Sequence, residues 1–511
     1  MMRRLYSTYS FAALLLFPAV SARADITLPH ILAEHMVIQR GLPVHIWGKA
    51  SPGESVAVAF GESSRTVTAD ALGRWSVYLP PADAGGPFTL TIRGNNTIEF
   101  KDVLVGDVWV ASGQSNMEFK LSRSSNSAVE IAAAKYPNIR RTIVDNKVSN
   151  YPMDDVTCEP WTDINPATAG GGSAVAYYFA RHLHEKEGVP IGILESTWSG
   201  TPVESWISLR AIGEDPGLMP IFRARALALD TWPAQQPAYE KQIADWNAMR
   251  EAAAASPGPA STRPNPAILP SPRPGGPYEP SGLYNAKIAP ITAFPIKGVI
   301  WYQGESNASD RPNGASLYTR AFSQMIRDWR RAWHQGDFPF LFVQLPNFKS
   351  SSAWVALREA QRQTLSVVNT GMAVTIDVGI PDNLHPPNKV EVGERLALAA
   401  RALAYGEKIE YAGPVFVRAT SEGSALRSWF SHTTGGLRAG RLGDAPVVKG
   451  FEIAGADRKF VPADARLDGS TVLLSSTAIA TPVYLRYAWE DSPDCNLYNG
   501  EGLPAWPFQS E

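Results

Sequence analysis

Val108-Trp109-Val110-Ala111-Ser112-Gly113-Gln114-Ser115-Asn116-Met117 is the stretch on which the fold turns. Its first four residues are apolar and β-prone, Ser112-Gly113 breaks the run, and the rest reads as the opening of a helix. A short apolar strand that runs through a turn into a helix is the unit of a parallel α/β sheet. Ser115 then stands at the carboxyl end of a strand, in the crevice where open α/β sheets place ligands. The N–H groups of a first helical turn have no partner inside the helix, so they are free to stabilise an oxyanion. A serine that merely caps the helix fits the same position, and this segment alone supports both readings.

Outward from this stretch the patterning changes on both sides. Residues 25–103 alternate in short runs: Val56, Val58 and Phe60, then Trp75, Val77 and Leu79, then Phe88, Leu90 and Ile92. Turn-formers separate the runs, which predicts a β-sandwich-like domain. Residues 104–210 continue as α/β. Val175, Tyr178, Phe179, His182 and Leu183 recur at helical spacing before a strand-like run from Pro190 to Leu194. Residues 286–406 repeat that alternation, with strands expected at Gly298 to Trp301, Phe340 to Leu345 and Met372 to Val378. The helices expected there cover Leu317 to Trp333, Leu357 to Leu365 and Val390 to Tyr405. Residues 211–285 interrupt the two α/β parts, first Ala-rich and helical, then dense in Pro and Gly from Ser256 to Pro280. From 407 to 511 β patterning returns, for example at Val415 to Val417 and Val472 to Leu474. The expected fold class is therefore α/β. A parallel sheet with helices on both faces is interrupted by an insertion and flanked by N- and C-terminal β-sandwich-like domains.

Bulk composition excludes some partners. With 47 basic and 49 acidic residues the net charge is −2, so no broad basic field attracts nucleic acid or anionic lipid. Arg3 and Arg4 precede an apolar stretch from Phe11 to Val20, and Ala22-Arg23-Ala24 has the small-x-small form of a cleavage site. Residues 1–24 thus read as a signal peptide, and the mature chain as periplasmic or secreted. Nothing later offers about 20 uninterrupted apolar residues for a membrane span. Cys158 and Cys495 are the two cysteines; a disulfide and two free thiols are both open readings.

A nucleophilic serine needs a base, and the eight histidines supply few candidates. His30, His35 and His45 fall in the N-terminal β region, and His432 in the C-terminal one. His182 and His184 lie on a helix, and His334 at a helix end. His385 differs. It follows an expected sheet strand in the loop Asp382-Asn383-Leu384-His385-Pro386, just before the last helix. Asp382, three residues upstream, is placed to accept a hydrogen bond from the imidazole Nδ1 and leave Nε2 for the serine proton. Such pairs also brace loops. The Ser115 turn is not the Gly-x-Ser-x-Gly elbow of α/β-hydrolases, since Met117 replaces the second Gly.

Several motifs now combine: Gly113-Gln114-Ser115-Asn116-Met117, Trp301-Tyr302-Gln303-Gly304-Glu305-Ser306-Asn307 and Asp382-x-x-His385-Pro386. Further matches are Trp198-Ser199-Gly200-Thr201, Glu204-Ser205-Trp206, Leu283-Tyr284-Asn285 and the tail from Asn496 to Pro504. Together they resemble the SGNH (GDSL-type) hydrolases, and most of all the sialate O-acetylesterase group and related carbohydrate acetylesterases, from about residue 25 to the C-terminus. The resemblance implies an SGNH-type fold with Ser115 as nucleophile, His385 as base and Asp382 as its orienting acid. It also implies an oxyanion hole built from the N–H groups of Ser115 and Gly200. The usual third donor is an Asn in a Gly-x-Asn-Asp block that is missing here, so Gln303 is expected in its place. Glu305 and Asn116 are expected in support, Glu305 either buttressing the loop or backing His385. Gln303 and Glu305 would also suit buried backbone groups in need of partners. Trp198, Trp206 and Trp301 are candidates for a sugar platform.

Such a site implies acyl transfer through an acetyl-enzyme, with no metal or organic cofactor. The expected partner is an acetylated sugar or oligosaccharide, either sialic acid or a plant polysaccharide such as xyloglucan or xylan. Two other functions compete. A lipase or thioesterase of the same superfamily would carry a long apolar lid, which the sequence lacks. A non-catalytic carbohydrate-binding protein would not need both Ser115 and His385.

Overall fold

One strand, Thr97–Gly113, organises the molecule. Its first six residues alternate between exposed and half-buried, whereas every residue from Val103 to Gly113 is buried. The partners change a few residues further on, after Gly106. The first half pairs antiparallel with Gly85–Arg93, in a sheet with one solvated face. The second half pairs parallel with Ile191–Thr197 on one side and Gly298–Tyr302 on the other, where both faces are covered. The boundary read at 103/104 is thus a change of burial inside one continuous strand.

The computed structural model describes residues 25–255, 275–311, 313–350 and 353–510. The leader read at 1–24 and residues 256–274 of the Pro- and Gly-rich stretch lie outside them. The central strands run in the order Thr370–Ala373, Phe340–Val343, Gly298–Tyr302, Thr97–Gly113, Ile191–Thr197, Tyr136–Ile143 and Thr162–Ile164. All neighbours are parallel except the last, which is antiparallel. Four N-terminal strands join them in a mixed sheet of 11 strands.

Register shows that both faces carry helices. Gly298 pairs with Trp109, so Trp301, three residues on, faces the other way. Trp109 packs edge-on against Phe179 of the Ala174–Glu187 helix. Trp301 packs on Phe322 and Trp329 of the Ala315–Trp333 helix. Trp206 and Trp301 are wholly buried in this aromatic core, which corrects their expected place on a sugar platform. Each such indole removes on the order of 200 Å² from water, worth up to about 5 kcal/mol.

Other expectations shift in detail. The strand expected at Met372 to Val378 is Thr370–Ala373, after which the chain leaves the sheet. Arg395 pins that exit through Asp377, at 2.6 and 2.7 Å. Tyr136–Ile143 is a central strand that periodicity missed, because Arg140 and Arg141 sit buried within it. Arg140 is satisfied by Asp102 and the Pro137 carbonyl.

The helix Leu209–Glu214 leads into the insertion, which holds the helix Met219–Ala255, 37 residues long with Pro233 and Pro237 inside it. Arg225 ties it back to Glu279. Beyond the last helix, Val390–Ala404, two four-stranded antiparallel sheets enclose a second core that includes Ile453, Val472, Leu485 and Phe508. The tail motif is structural, for Asn499 is buried and bonds the carbonyls of Ala412 and His432. Cys158 and Cys495 are free thiols. Among the described residues no helix is long and apolar enough to cross a membrane.

Candidate active site

Three parallel strands end level with one another, since Gly113 pairs with both Thr197 and Tyr302. The loops that follow therefore meet in one crevice. Gly113 permits the close approach: it has φ +133°, and a Cβ there would lie 2.2 Å from the Tyr302 carbonyl oxygen. The chain then turns into the short helix Ser115–Glu118. Gln114 Oε1 accepts from the N–H groups of Gly304 and Ser306 at 3.4 and 3.2 Å, joining this turn to the loop after Tyr302.

His385 meets Ser115 across the crevice. Its Nε2 lies 2.8 Å from Ser115 Oγ, and both side chains keep partial access to solvent. Burial pushes the imidazole down to about 4, with further lowering from the positive charges of Lys389 and Arg123. His385 is neutral at ordinary pH, the form that accepts a proton.

Asp382 is elsewhere. Its side chain is 80% exposed and its carboxylate lies 3.5 Å from Lys349 Nζ. The expected contact with His385 is not made, because a tight turn from Ile380 to Asn383 carries Asp382 outward. Asn383 Oδ1 instead accepts from the His385 N–H at 2.9 Å. No acceptor reaches His385 Nδ1 among the described residues.

Gly200 has φ +77°, a left-handed conformation that favours glycine. Its loop is held at several points. Trp198 N–H donates to the Gly113 carbonyl at 3.0 Å, Ser199 Oγ to Glu118 at 2.8 Å, and Thr201 Oγ1 accepts from Trp206 Nε1 at 3.0 Å. The N–H groups of Ser115 and Gly200 donate to no acceptor among the described residues. Gln303 is fully buried and its amide is already committed, donating to the Thr201 carbonyl at 3.2 Å and Asn307 Oδ1 at 2.8 Å. The structure thus places Gln303 as an anchor of the Gly200 loop, where sequence reading expected a third donor.

Sequence reading missed two buried lysines. Lys389 Nζ donates to Asn116 Oδ1 at 2.6 Å, and Asn116 Nδ2 donates to Glu305 Oε1 at 2.6 Å and the Leu384 carbonyl at 3.0 Å. Burial pushes Lys389 down to about 7 and raises Glu305. Lys287 donates to the carbonyls of Val144 and Asp145 and lies 5.7 Å from the centroid of the half-buried Trp198 ring. Their only sequence signal is a lysine inside an otherwise apolar or motif-bearing run.

Serine, imidazole and unbonded N–H groups are a set suited to acyl transfer, and comparison with known proteins identifies the family. Residues 277–402 match the family described as carbohydrate esterase, sialic acid-specific acetylesterase. The sialate O-acetylesterase of Mus musculus is 32% identical over 91% of this chain and 90% of its own length. The Homo sapiens protein of that name is 29% identical over 91% and 88%. A carbohydrate acetylesterase from Xanthomonas citri is 39% identical in its crystal structure, covering 95% of this chain and 99% of that one, with a TM-score of 0.80. The chain belongs to the sialate O-acetylesterase family of carbohydrate esterases.

Proposed function

We propose that this protein is an exported SGNH-type serine esterase that removes O-acetyl groups from sugars, with Ser115 as nucleophile and His385 as base. The observation that carries the reading is the 2.8 Å approach of His385 Nε2 to Ser115 Oγ, with the unbonded N–H groups of Ser115 and Gly200 as the proposed oxyanion donors. Ser115 Oγ attacks the acetyl carbonyl carbon and passes its proton to Nε2, while the two N–H groups receive the oxyanion. Collapse breaks the bond to the sugar oxygen, which takes the proton from His385. Water then adds to the acetyl-enzyme, again giving a proton to His385, and acetate leaves as Ser115 recovers its proton.

Asp382 faces solvent, so orientation of the imidazole falls to the His385 loop and the network beneath it. Candidate substrates are acetylated sialic acid and acetylated plant polysaccharide such as xyloglucan or xylan. Chromogenic acetyl, butyryl and octanoyl esters, with an acetylated-glycan panel, test the reading against wild type and Ser115→Ala. Acetyl preference, acetate release from a glycan and a loss of about 10³-fold or more in Ser115→Ala are expected. Near-normal turnover in a folded Ser115→Ala protein would overturn it.

A further inference from the structure

Lys389 stands at the entrance to the last helix, and its side chain has no access to solvent. Its ammonium donates to Asn116 Oδ1 at 2.6 Å and lies 5.0 and 5.4 Å from the ring centroids of Phe119 and Tyr302. Removing an ammonium from water is costly, and two ring faces with one amide oxygen offset only part of that cost. The countercharge is Glu305, reached through Asn116, and its Oε2 is buried without a partner among the described residues. The second hydrogen-bond acceptor of Asn116 Nδ2 is the Leu384 carbonyl, next to His385. One amide thus joins the Ser115 helix, the Glu305 turn, the His385 loop and the last helix.

Stability alone is a poor reason for this arrangement, since well-packed apolar residues in place of a buried ion pair are often neutral or stabilising. We propose that Lys389 is a positioning residue of the esterase reaction. It fixes Asn116, and through it the approach of His385 to Ser115, and its positive charge adds to the burial that keeps His385 neutral. This rests on the assignment of Ser115 and His385 as nucleophile and base.

The surrounding charges support the second role. Arg123, on the Leu121–Arg123 turn, is the other cation acting on His385, and Asp382 is engaged by Lys349 in solvent. Glu305 acts on Lys389, and burial keeps the Tyr302 phenol protonated. Burial pushes Lys389 down to about 7. Its charge is therefore present on the acid side, where it opposes protonation of His385, and is lost at higher pH, where His385 is already neutral.

The test is kcat and KM against pH on a chromogenic acetyl ester for wild type, Lys389→Met, Lys389→Gln and Ser115→Ala. Both Lys389 variants should shift the acid limb of kcat/KM to higher pH. Lys389→Met also leaves Asn116 Oδ1 without its donor, and should lose about 10²-fold in kcat with KM within about twofold. Lys389→Gln keeps a donor and should lose less. If Lys389→Met does not fold, the limb of Lys389→Gln alone decides. An unmoved limb with wild-type kcat in the folded variants overturns the proposal while an inactive Ser115→Ala leaves the esterase reading standing. An active Ser115→Ala overturns that reading and the proposal with it.

Discussion

Asn116 Nδ2 lies 3.0 Å from the carbonyl oxygen of Leu384, so the residue after Ser115 is tied to the residue before His385. A distance of 2.8 Å between serine and imidazole is otherwise set by two loops far apart in sequence. Asn116→Ala removes this tie, and with it the bonds to Glu305 and Lys389. We expect a fall of about 10- to 100-fold in kcat on every ester, with KM little changed. Steady-state kinetics on a folded variant checks it, and an unchanged kcat would show that the loops hold their places unaided.

The pH profile follows from the state of His385. Burial first, then Lys389 and Arg123, push it down to about 4. In the proposed mechanism the base is the neutral form, so activity should grow as pH rises through that value and be established by about pH 5, where an ordinary imidazole at about 6.5 is mostly protonated. Measuring kcat/KM from acid to neutral pH tests this. An acid limb near the ordinary histidine value would count against the lowered pKa.

Two carboxylates can be ranked. Glu305 Oε1 accepts from Asn116 at 2.6 Å, whereas the Asp382 carboxylate faces Lys349 in solvent. Glu305→Gln should therefore cost about tenfold or more in kcat, and Asp382→Asn less than about threefold. Kinetics of the two folded variants side by side decides the order. The reverse order would mean that the Asp382 loop closes onto His385 during turnover.

Tyr278, on the far flank of the insertion, stands next to the Gly200 loop. A Cβ placed on Gly200 would lie 3.7 Å from the hydroxyl of Tyr278, itself half-buried. The phenol therefore borders the loop that offers the Gly200 N–H. Contacts made only with a sugar raise turnover on a glycan and do nothing for a minimal ester. Tyr278→Phe should reduce acetate release from the glycan substrate several-fold more than hydrolysis of a small acetyl ester, with about tenfold as the upper range for one hydrogen bond. Equal effects on both substrates would assign the hydroxyl to general packing of the loop.

By itself the sequence determined the alternation of strands and helices, the buried faces and the pair Ser115 and His385. Those features are local: Val56, Val58 and Phe60 alternate because a strand repeats every two residues, and Ser115 follows a strand end because Ser112-Gly113 breaks the apolar run. Tertiary structure alone decided where the polar side chains around that pair point. Asp382 turns outward through a local bridge between Ile380 and Asn383. Gln303 spends its amide on Thr201 and Asn307, which lie close only once separate loops meet. Arg140 and Arg141 hide a central strand because Asp102 and the Thr168 carbonyl, which satisfy them, come from other parts of the chain. Lys389 looks like any lysine before a helix until Asn116, Phe119 and Tyr302 close over it. A buried polar group is specified by partners distant in the chain, so hydrophobic period exposes the scaffold and leaves the network of the site unread.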